Sequence, residues 1–318
     1  MKPGPRRWAK ILGYLGRNLA EREAVYPLYA SFKVTYACPL NCSFCDIRNT
    51  PGPPEASADE VFRIIDALAG SSTLVLVLEG GEPFLRCDIE AIFAHAGRYP
   101  WFVSAVTSYP DRCDDLRPRL QGSIDFLQVS IDEEHGNLAL LDRLPDLRRA
   151  WSSRLGVQIV VTRHSLEALE EKIARVRLAG VRAVVMPAVD LDACSPCSPS
   201  RLAFSEEVTR LRQRYPGTIV TSRQFQRSFE RGSSCSTASL VIDPDGTIYY
   251  PCRVLGGRAH HLLHGGLDEF LRSNAAEEAR RLAASCSRAC GWYQHFAVRL
   301  DSIRHLASDV HAGLERIR

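Results

Sequence analysis

The chain has 318 residues, of which 45% are hydrophobic and 24% are charged. This balance is typical of a globular protein, and the length suits one barrel-sized domain with a smaller appendage. The formal net charge of +3 gives no drive toward nucleic acid, and no apolar run of about 18 residues could span a membrane. No secretory signal follows the basic N-terminus, so we expect a cytoplasmic protein without nucleic-acid partners.

An apolar stripe at helical spacing lies within residues 1–29. It predicts an amphipathic helix and consists of Trp8, Ile11, Leu12, Leu15 and Leu19. One interpretation is a helix that lies on a membrane surface and meets a lipid substrate. We favour the other interpretation, in which the helix closes the bottom or the open side of the domain that follows.

From about residue 30 to residue 190, six apolar β-rich runs alternate with stretches that carry apolar residues at helical spacing. The predicted strands are Ser31–Tyr36, Thr73–Leu78, Phe102–Thr107, Ile124–Ser130, Val157–Val161 and Val181–Met186. The predicted helices include Val61–Leu68, Leu138–Trp151 and Leu166–Leu178. Six strand–helix repeats predict parallel βαβ units in an α/β fold. The pattern alone leaves open whether they form a doubly wound sheet or a partial barrel.

Two local signals mark helix boundaries in this region. Ser57 and Glu60 form a capping box, which predicts the start of the first helix. Pro145 falls inside the stretch Leu138–Trp151, and we expect it to interrupt that helix or to restart it.

The alternation ends after residue 190. A helix is predicted over Ser205–Arg214, and Leu240–Ile242 and Thr247–Tyr250 flank the turn sequence Asp-Pro-Asp-Gly. This combination is typical of a β-hairpin. We therefore expect residues 201–318 to form a small subdomain of a hairpin and helices.

Eleven cysteines in a chain without a secretory signal favour metal binding over a disulfide framework. Cys38, Cys42 and Cys45 lie within eight residues directly after the first predicted strand, and Pro39 and Asn41 favour a turn between them. Three thiolates are too few for a closed zinc site, which takes four protein ligands. They suit a [4Fe–4S] cluster with one open iron.

The spacing C-x-x-x-C-x-x-C after a first strand resembles the signature of the radical S-adenosylmethionine (SAM) superfamily. The resemblance implies a partial (β/α)6 TIM-type barrel over residues 30–200, with a catalytic [4Fe–4S] cluster on the three cysteines. In the superfamily, the open iron is chelated by the amino and carboxylate groups of SAM. One electron then splits SAM into methionine and a 5′-deoxyadenosyl radical, which abstracts hydrogen from the substrate. A one-electron donor such as flavodoxin or ferredoxin is therefore an expected partner.

Further SAM contacts are implied by position. A segment after the second strand resembles the superfamily's G-G-E-P motif, which binds the methionyl amine, and it consists of Gly80, Gly81, Glu82 and Pro83. Paired glycines allow close approach of the backbone to a ligand, and a carboxylate pairs with an ammonium group. The other contacts that the resemblance implies are Phe44 against the adenine, Ser130 and then Asp132 at the ribose, and Arg163 near the SAM carboxylate. Many relatives have Thr-Asn-Gly after the third strand, where this chain has Thr107, Ser108 and Tyr109.

Four more cysteines surround the predicted hairpin and lie in the helical tail. Cys235, Cys252, Cys286 and Cys290 could together hold a [4Fe–4S] cluster or a structural zinc ion. The arrangement is similar to the twitch subdomain of some radical SAM enzymes, which implies one auxiliary [4Fe–4S] cluster. The longer SPASM version holds two clusters and needs more cysteines than this tail has. The final pair departs from the twitch pattern, since it reads C-x-x-x-C instead of C-x-x-C.

Cys194 and Cys197 follow the sixth predicted strand, near the end of the barrel where such enzymes keep their chemistry. One thiol could return a hydrogen atom to a substrate radical. The pair could instead ligate a cluster, in place of one of the four cysteines above. We favour a third interpretation, without a chemical role, and place hydrogen donation second.

These patterns predict a radical SAM oxidoreductase that abstracts hydrogen from a small-molecule substrate. The auxiliary cluster would accept the electron left on the substrate. One alternative is a redox-neutral epimerase or carbon–carbon bond-forming enzyme that acts on a sugar or a lipid. Another is a peptide maturase. Outside enzymes, the alternative is an iron–sulfur electron carrier, which would need neither the G-G-E-P segment nor a full βα domain.

Overall fold

The computed structural model describes residues 5–21, 23–45, 47, 52–189, 197–232, 237–287 and 290–293. In these ranges the strands are β1 (Tyr29–Thr35), β2 (Val75–Gly80), β3 (Phe102–Thr107), β4 (Phe126–Ser130), β5 (Leu155–Val161), β6 (Arg182–Pro187), β7 (Ser239–Ile242), β8 (Thr247–Tyr249) and β9 (Arg258–His261). The α-helices are α1 (Pro5–Glu21), α2 (Ala58–Ala69), α3 (Ile89–Ala96), α4 (Arg112–Leu120), α5 (Leu140–Trp151), α6 (Leu169–Leu178), α7 (Arg201–Arg214), α8 (Arg223–Arg231), α9 (Leu267–Leu271) and α10 (Asn274–Ala284).

All nine strands belong to one sheet, in the order β6-β5-β4-β3-β2-β1-β7-β8-β9. Strands β1 to β6 are parallel to their neighbours, as expected for successive βαβ units. Within the described residues β6 does not pair with β1 or β7, so the sheet is open on that side. The arrangement agrees with a partial (β/α)6 barrel and not with a doubly wound sheet, whose strand order reverses.

The predicted hairpin is present, and it extends the barrel sheet. β7 pairs in parallel with β1, from Tyr29 opposite Ser239 to Phe32 opposite Ile242. β8 and β9 then continue the sheet in antiparallel fashion. The strand β9 was not predicted, because its sequence Arg-Ala-His-His carries no apolar alternation. The division of the chain at residue 200 stays a prediction.

The capping box marks the start of a helix, whereas the proline does not interrupt one. The Ser57 hydroxyl accepts from the Glu60 N–H, and the Glu60 carboxylate accepts from the Ser57 N–H at 2.9 Å, so the box is confirmed. The predicted interruption at Pro145 is wrong, because α5 continues through it. Proline inside a helix costs about 3 kcal/mol. Burial of five apolar side chains on α5 offsets that cost, and they are Leu140, Leu141, Leu144, Leu147 and Trp151.

Each barrel strand presents alternate residues to two faces. On β1, Ala30, Phe32 and Val34 belong to the main core under the helices, so Ser31 and Lys33 face the inside of the barrel, here called the lumen. The same alternation holds on β2 to β6. It places several polar residues in the lumen, among them Glu79, Ser104, Gln128, Ser130 and Gln158.

Helix α1 lies at the N-terminal ends of the strands. The Arg7 guanidinium lies 3.4 Å from the Asp125 carboxylate and 4.7 Å above the Phe102 ring. The Lys10 ammonium donates to the Ala69 carbonyl at 3.0 Å. These contacts support the interpretation that this helix closes the bottom of the barrel.

No helix among the described residues is long and apolar enough to cross a membrane.

Candidate active site

The loop that follows β1 carries Cys38, Cys42 and Cys45 and is called the cysteine loop below. All three thiols are half-buried. The Cys45 N–H donates to the Cys42 carbonyl at 3.1 Å, which closes a turn between these two residues. The Ser43 N–H donates to the Glu134 carboxylate at 2.7 Å. This bond attaches the cysteine loop to the segment after β4, at the C-terminal mouth of the barrel.

The three thiols interact electrostatically. Burial raises the pKa of the Cys42 thiol to about 12, with further contributions from the charges of Cys45, Asp132 and Cys38. Bound iron reverses this effect, because a metal cation favours the thiolate form. Within the described ranges, no group of three or more His, Cys, Asp or Glu side chains is close enough together to bind a single metal ion. A [4Fe–4S] cube binds each thiolate through a different iron and needs no such convergence, so three neighbouring thiols fit it.

The turn after β2 lies against the cysteine loop. Gly80 has φ = 143°, which other residues rarely adopt. A Cβ atom at Gly80 would overlap the Thr35 carbonyl, and one at Gly81 would overlap the Ala37 carbonyl. The N–H groups of Gly81 and Glu82 donate to these two carbonyls, each at 2.8 Å. Glycine is therefore required here for the close approach of two backbones.

Glu82 is 1% exposed and joins two loops at the mouth. Its carboxylate accepts from the Phe84 N–H at 3.1 Å and from the Thr107 hydroxyl at 2.8 Å. It also accepts from the Ser108 N–H at 2.8 Å and the Ser108 hydroxyl at 2.6 Å. Pro83 is buried and begins a short 3₁₀ turn behind it. Thr107, which matches the superfamily's pattern, and Ser108, which departs from it, thus hold Glu82 in place.

Asp132 is fully buried at the end of β4, and both of its carboxylate oxygens are used within the protein. Oδ1 accepts from the His135 N–H at 3.1 Å and lies 2.7 Å from His135 Nδ1, and Oδ2 accepts from the Val160 N–H at 3.1 Å. These bonds hold the ends of β4 and β5 together. The His135 ring also lies 5.9 Å from the Phe44 ring of the cysteine loop. The ribose contact expected of Asp132 stays a prediction.

The other expected SAM contacts differ in exposure. Ser130 is buried, and its carbonyl accepts from the Asn137 amide at 2.7 Å. The same amide donates to the Ser108 carbonyl at 3.0 Å, so Asn137 joins the loops after β3 and β4. Nothing in the sequence indicates this role of Asn137, because one asparagine in a loop gives no signal. The exposed Arg163 donates to the His164 ring at 3.0 Å, so its guanidinium lies at the surface.

An apolar patch lines the mouth on the side of β5 and β6. It is formed by Phe44, Val160, Met186, Ala188 and Cys197. The Cys197 thiol is buried, and its carbonyl accepts from the Arg163 N–H at 2.9 Å. Cys194 lies outside the described residues. The structure therefore brings Cys197 against the aromatic residue of the cysteine loop.

Three C-terminal cysteines gather from two separate segments. Burial raises the pKa of the Cys252 thiol, and the charge of Cys286 adds to the effect. Burial likewise raises the pKa of the Cys290 thiol, with contributions from the other two. The Leu255 N–H donates to Cys252 Sγ at 3.4 Å, an interaction that tunes iron–sulfur ligands. Cys235 lies outside the described residues.

The segments that carry Cys290 and Cys252 lie near the two ends of the six-stranded barrel sheet. A Cβ atom at Gly291, next to Cys290, would overlap Phe229 and lie 3.5 Å from Pro187 at the end of β6. The guanidinium of Arg253, next to Cys252, lies 6.0 Å above the Tyr36 ring, which follows β1. These segments therefore lie near the last strand of the barrel and near the loop after its first strand.

Comparison with known proteins agrees with this geometry. The radical SAM superfamily model matches residues 32–192, which is half of the chain. Mycofactocin maturase MftC of Mycobacterium ulcerans (strain Agy99) is 25% identical over 312 residues, covering 85% of this chain and 81% of the maturase. The PqqA peptide cyclase of Granulibacter bethesdensis (strain ATCC BAA-1260 / CGDNIH1) is 24% identical over 218 residues, covering 61% of this chain and 58% of the cyclase.

A solved structure confirms the fold. Streptococcus suis SuiB bound to the precursor peptide SuiA superposes with a TM-score of 0.63 at 15% identity, covering 86% of this chain and 70% of SuiB. This likeness shows the partial barrel that the sequence predicted. The family match over half of its length shows that the chain belongs to the radical SAM superfamily, whose members use a [4Fe–4S] cluster and SAM.

Proposed function

We propose that this chain is a radical SAM enzyme that modifies a peptide. The observation that carries the proposal is the similarity to a maturase over 85% of the chain. A second relative is a peptide cyclase, and SuiB, which shares the fold, binds a precursor peptide. The sequence patterns had favoured a small-molecule oxidoreductase, with a peptide maturase as an alternative. The relatives support that alternative better.

In this proposal the mouth of the barrel holds the two cofactors. Cys38, Cys42 and Cys45 are the ligands of the catalytic cluster, and the turn from Gly80 to Pro83 receives the methionyl end of SAM. When bound, the cofactors supply a 5′-deoxyadenosyl radical through one-electron cleavage of SAM. The protein contributes position, because the two glycines let the turn approach closely and Glu82 fixes that turn against the loop after β3.

Phe44 is proposed to cover the adenine, and Ser130 to contact the ribose. The Phe44 ring belongs to the apolar patch and lies 5.9 Å from the His135 ring, and these neighbours limit its movement. Asp132 would act on the ribose site as a positioning residue, through the bonds that fix the ends of β4 and β5. Arg163 reaches the SAM carboxylate only after its side chain turns inward from the surface.

We further propose that Cys252, Cys286 and Cys290, together with Cys235, hold an auxiliary [4Fe–4S] cluster. The raised pKa values of the Cys252 and Cys290 thiols, to which the charges of neighbouring C-terminal cysteines contribute, support this, as does the N–H donation to Cys252. Their segments lie near the loop after β1 and near the end of β6, which suits an electron acceptor for a substrate in the barrel. The substrate would lose a hydrogen atom to the 5′-deoxyadenosyl radical, then one electron to the auxiliary cluster and one proton to solvent, which is a net two-electron oxidation.

A size-fractionated deuterated extract tests the peptide proposal. Cells that express the protein natively are grown in deuterated medium, and their extract is separated into peptides and small molecules. Each fraction is incubated with the reconstituted enzyme, SAM and a reductant, and deuterium in 5′-deoxyadenosine is measured by mass spectrometry. We expect deuterium from the peptide fraction, lost after protease treatment. Deuterium from the small-molecule fraction alone would contradict the proposal, and a Cys45→Ala variant gives the background.

A further inference from the structure

An ion pair lies inside the lumen, next to the proposed SAM site. Lys33 on β1 and Glu79 on β2 are opposite each other in the strand register. Their neighbours Phe32 and Leu78 pack outward into the main core, so the two charged side chains face the lumen. The Lys33 ammonium lies 3.5 Å from Glu79 Oε1.

The two partners differ in accessibility. The Lys33 side chain is 7% exposed, whereas that of Glu79 is 21% exposed. The Ser31 hydroxyl donates to the same Oε1 atom, so two groups of β1 hold that oxygen. Among the described residues, none donates a hydrogen bond to Glu79 Oε2. Glu79 therefore combines a fixed oxygen with a second one that can accept a hydrogen bond from a molecule in the lumen.

The pair lies at the depth where a substrate must bind. Glu79 immediately precedes Gly80 of the turn that is proposed to receive SAM, and Lys33 lies two residues before the end of β1. In the proposed function a substrate would meet the radical near this turn. The pair would then lie next to the bound substrate.

The wall of the lumen formed by β5 and β6 is apolar near the mouth. Val160 of β5 and Met186 of β6 face inward and belong to the apolar patch with Phe44, Ala188 and Cys197. In the barrel sheet β5 and β6 are the strands farthest from β1 and β2. The lumen thus has one wall with a carboxylate and another that favours hydrocarbon.

We propose that Glu79, held by Lys33 and Ser31, binds the hydrogen-bond-donating end of a peptide side chain whose hydrocarbon part contacts the apolar patch. This inference rests on the proposed function and narrows its substrate class to amphipathic side chains with an ammonium or hydroxyl end. An aliphatic side chain displaces water from Glu79 Oε2 without donating a hydrogen bond to it, which is unfavourable. Glu79 repels a carboxylate side chain. Lys33 does not offset this repulsion, because its side chain is only 7% exposed and is already paired with Glu79.

Four short peptides serve as probes: acetyl-Gly-X-Gly-amide with X = Lys, Tyr, Leu or Glu, each deuterated in the side chain of X. Binding to the reconstituted, unreduced enzyme with SAM is measured by saturation-transfer NMR, which separates binding from turnover. We expect the Lys and Tyr probes to bind about tenfold or more tighter than the Leu and Glu probes, as a hydrogen bond to a charged group predicts. After reduction, deuterium in 5′-deoxyadenosine reports which probes reach the radical.

Two variants test the role of the pair. Glu79→Gln keeps the shape and removes the charge, and we expect it to weaken the Lys probe about tenfold. Lys33→Met/Glu79→Leu replaces a buried ion pair by apolar residues of similar volume, a change that proteins often tolerate. In this double variant the Leu probe should bind best. The matched control is Glu90→Gln, whose carboxylate pairs with Arg119 on the outer surface.

The outcomes separate this inference from the proposed function. SAM binding by each variant, measured by equilibrium dialysis, shows that the fold is intact. If the probes bind but their order is the same in wild type and both variants, the role of Glu79 is overturned and the peptide proposal stands. If no probe binds wild type and the deuterated peptide fraction gives no deuterium transfer, both proposals fail together. If the Leu probe binds best in the double variant but not in the wild type, both proposals are supported.

Discussion

The two groups of cysteines in this protein are assembled in opposite ways. Cys38, Cys42 and Cys45 lie on one short loop whose start is fixed by the end of β1. Cys252 follows β8, whereas Cys286 and Cys290 follow α10. The first group needs little more than one strand and a turn. The second forms only when the hairpin and the last helices have packed.

The groups differ in the exposure of one thiol. The thiols of the cysteine loop are half-buried at the mouth, where a ligand can reach an iron. In the second group Cys286 and Cys290 are half-buried as well, whereas the Cys252 thiol is buried and receives a backbone N–H. A cluster that binds a ligand needs an open position, whereas one that only transfers electrons does not. This contrast suggests SAM chemistry at the first group and electron transfer at the second.

The largest effect is expected from the first group. Cys42→Ala removes one of three ligands, and we expect formation of 5′-deoxyadenosine to fall to background. The assay is chromatography of the reconstituted enzyme with SAM and dithionite. The control is Cys87→Ser, because Cys87 is exposed and lies outside both groups. Wild-type SAM cleavage by Cys42→Ala would refute the assignment of the catalytic cluster.

Loss of the second group should separate SAM cleavage from product formation. Cys290→Ala is expected to lower the iron content from about eight to about four per chain. 5′-Deoxyadenosine should still form, whereas modified peptide should not, because the substrate electron then has no acceptor. Iron analysis and mass spectrometry of the peptide fraction measure both. Unchanged product from a variant with about four irons would show that the second group is not the acceptor.

A smaller effect is expected where Glu82 joins two loops beside the first group. In Glu82→Gln, the amide cannot accept from all four donors, which should lower the free energy of unfolding by about 1–3 kcal/mol. SAM affinity should fall about 10–100-fold, as for other groups that orient a cofactor site. Thermal unfolding and equilibrium dialysis measure the two effects. Glu90→Gln on the outer surface should change neither.

The smallest effect is expected at the contact between the two regions. The Tyr36 hydroxyl, two residues before Cys38, donates to the Asp243 carboxylate of the hairpin turn at 2.5 Å. Tyr36→Phe should lower the free energy of unfolding by about 1 kcal/mol. Tyr99→Phe, which loses an exposed hydroxyl bond to Asp66, should cost less.

The difference in the free energy of unfolding between wild type and Tyr36→Phe should depend on pH. Burial and the bond to Asp243 raise the pKa of Tyr36 above its ordinary value of 10. The stabilisation is therefore complete below about pH 10 and decreases above it, because the unfolded tyrosine loses its proton first. Denaturant titrations at pH 8 and above pH 10 should show that the wild type and Tyr36→Phe differ less in their free energy of unfolding at the higher pH. A difference that increases with pH would contradict this account of Tyr36.

Features encoded by short segments could be predicted from the sequence. The six parallel strands follow from apolar runs, the start of α2 from Ser57 and Glu60, and the hairpin from its Pro-Asp-Gly turn. The cysteine loop follows from spacing within eight residues. In each case the interactions that fix the element join residues close in sequence.

Features that depend on distant partners were missed. The parallel pairing of β7 with β1 joins residues about 210 apart, and nothing in either strand specifies it. The bond to Asp132 Oδ2 comes from Val160, which is 28 residues away and is brought near by the pairing of β4 with β5. A weak signal did exist for the lumen pair, since Lys33 interrupts an apolar strand and Glu79 directly precedes Gly80.

The central claim is that the two cysteine groups hold two separate clusters. It is tested most directly in the variant Cys38→Ala/Cys42→Ala/Cys45→Ala, reconstituted under anaerobic conditions. Iron and sulfide content and the electron paramagnetic resonance spectrum after reduction are measured. We predict about four irons per chain and the signal of a reduced [4Fe–4S] cluster, held by the C-terminal cysteines. Loss of all iron would contradict the claim and leave the protein with a single catalytic cluster.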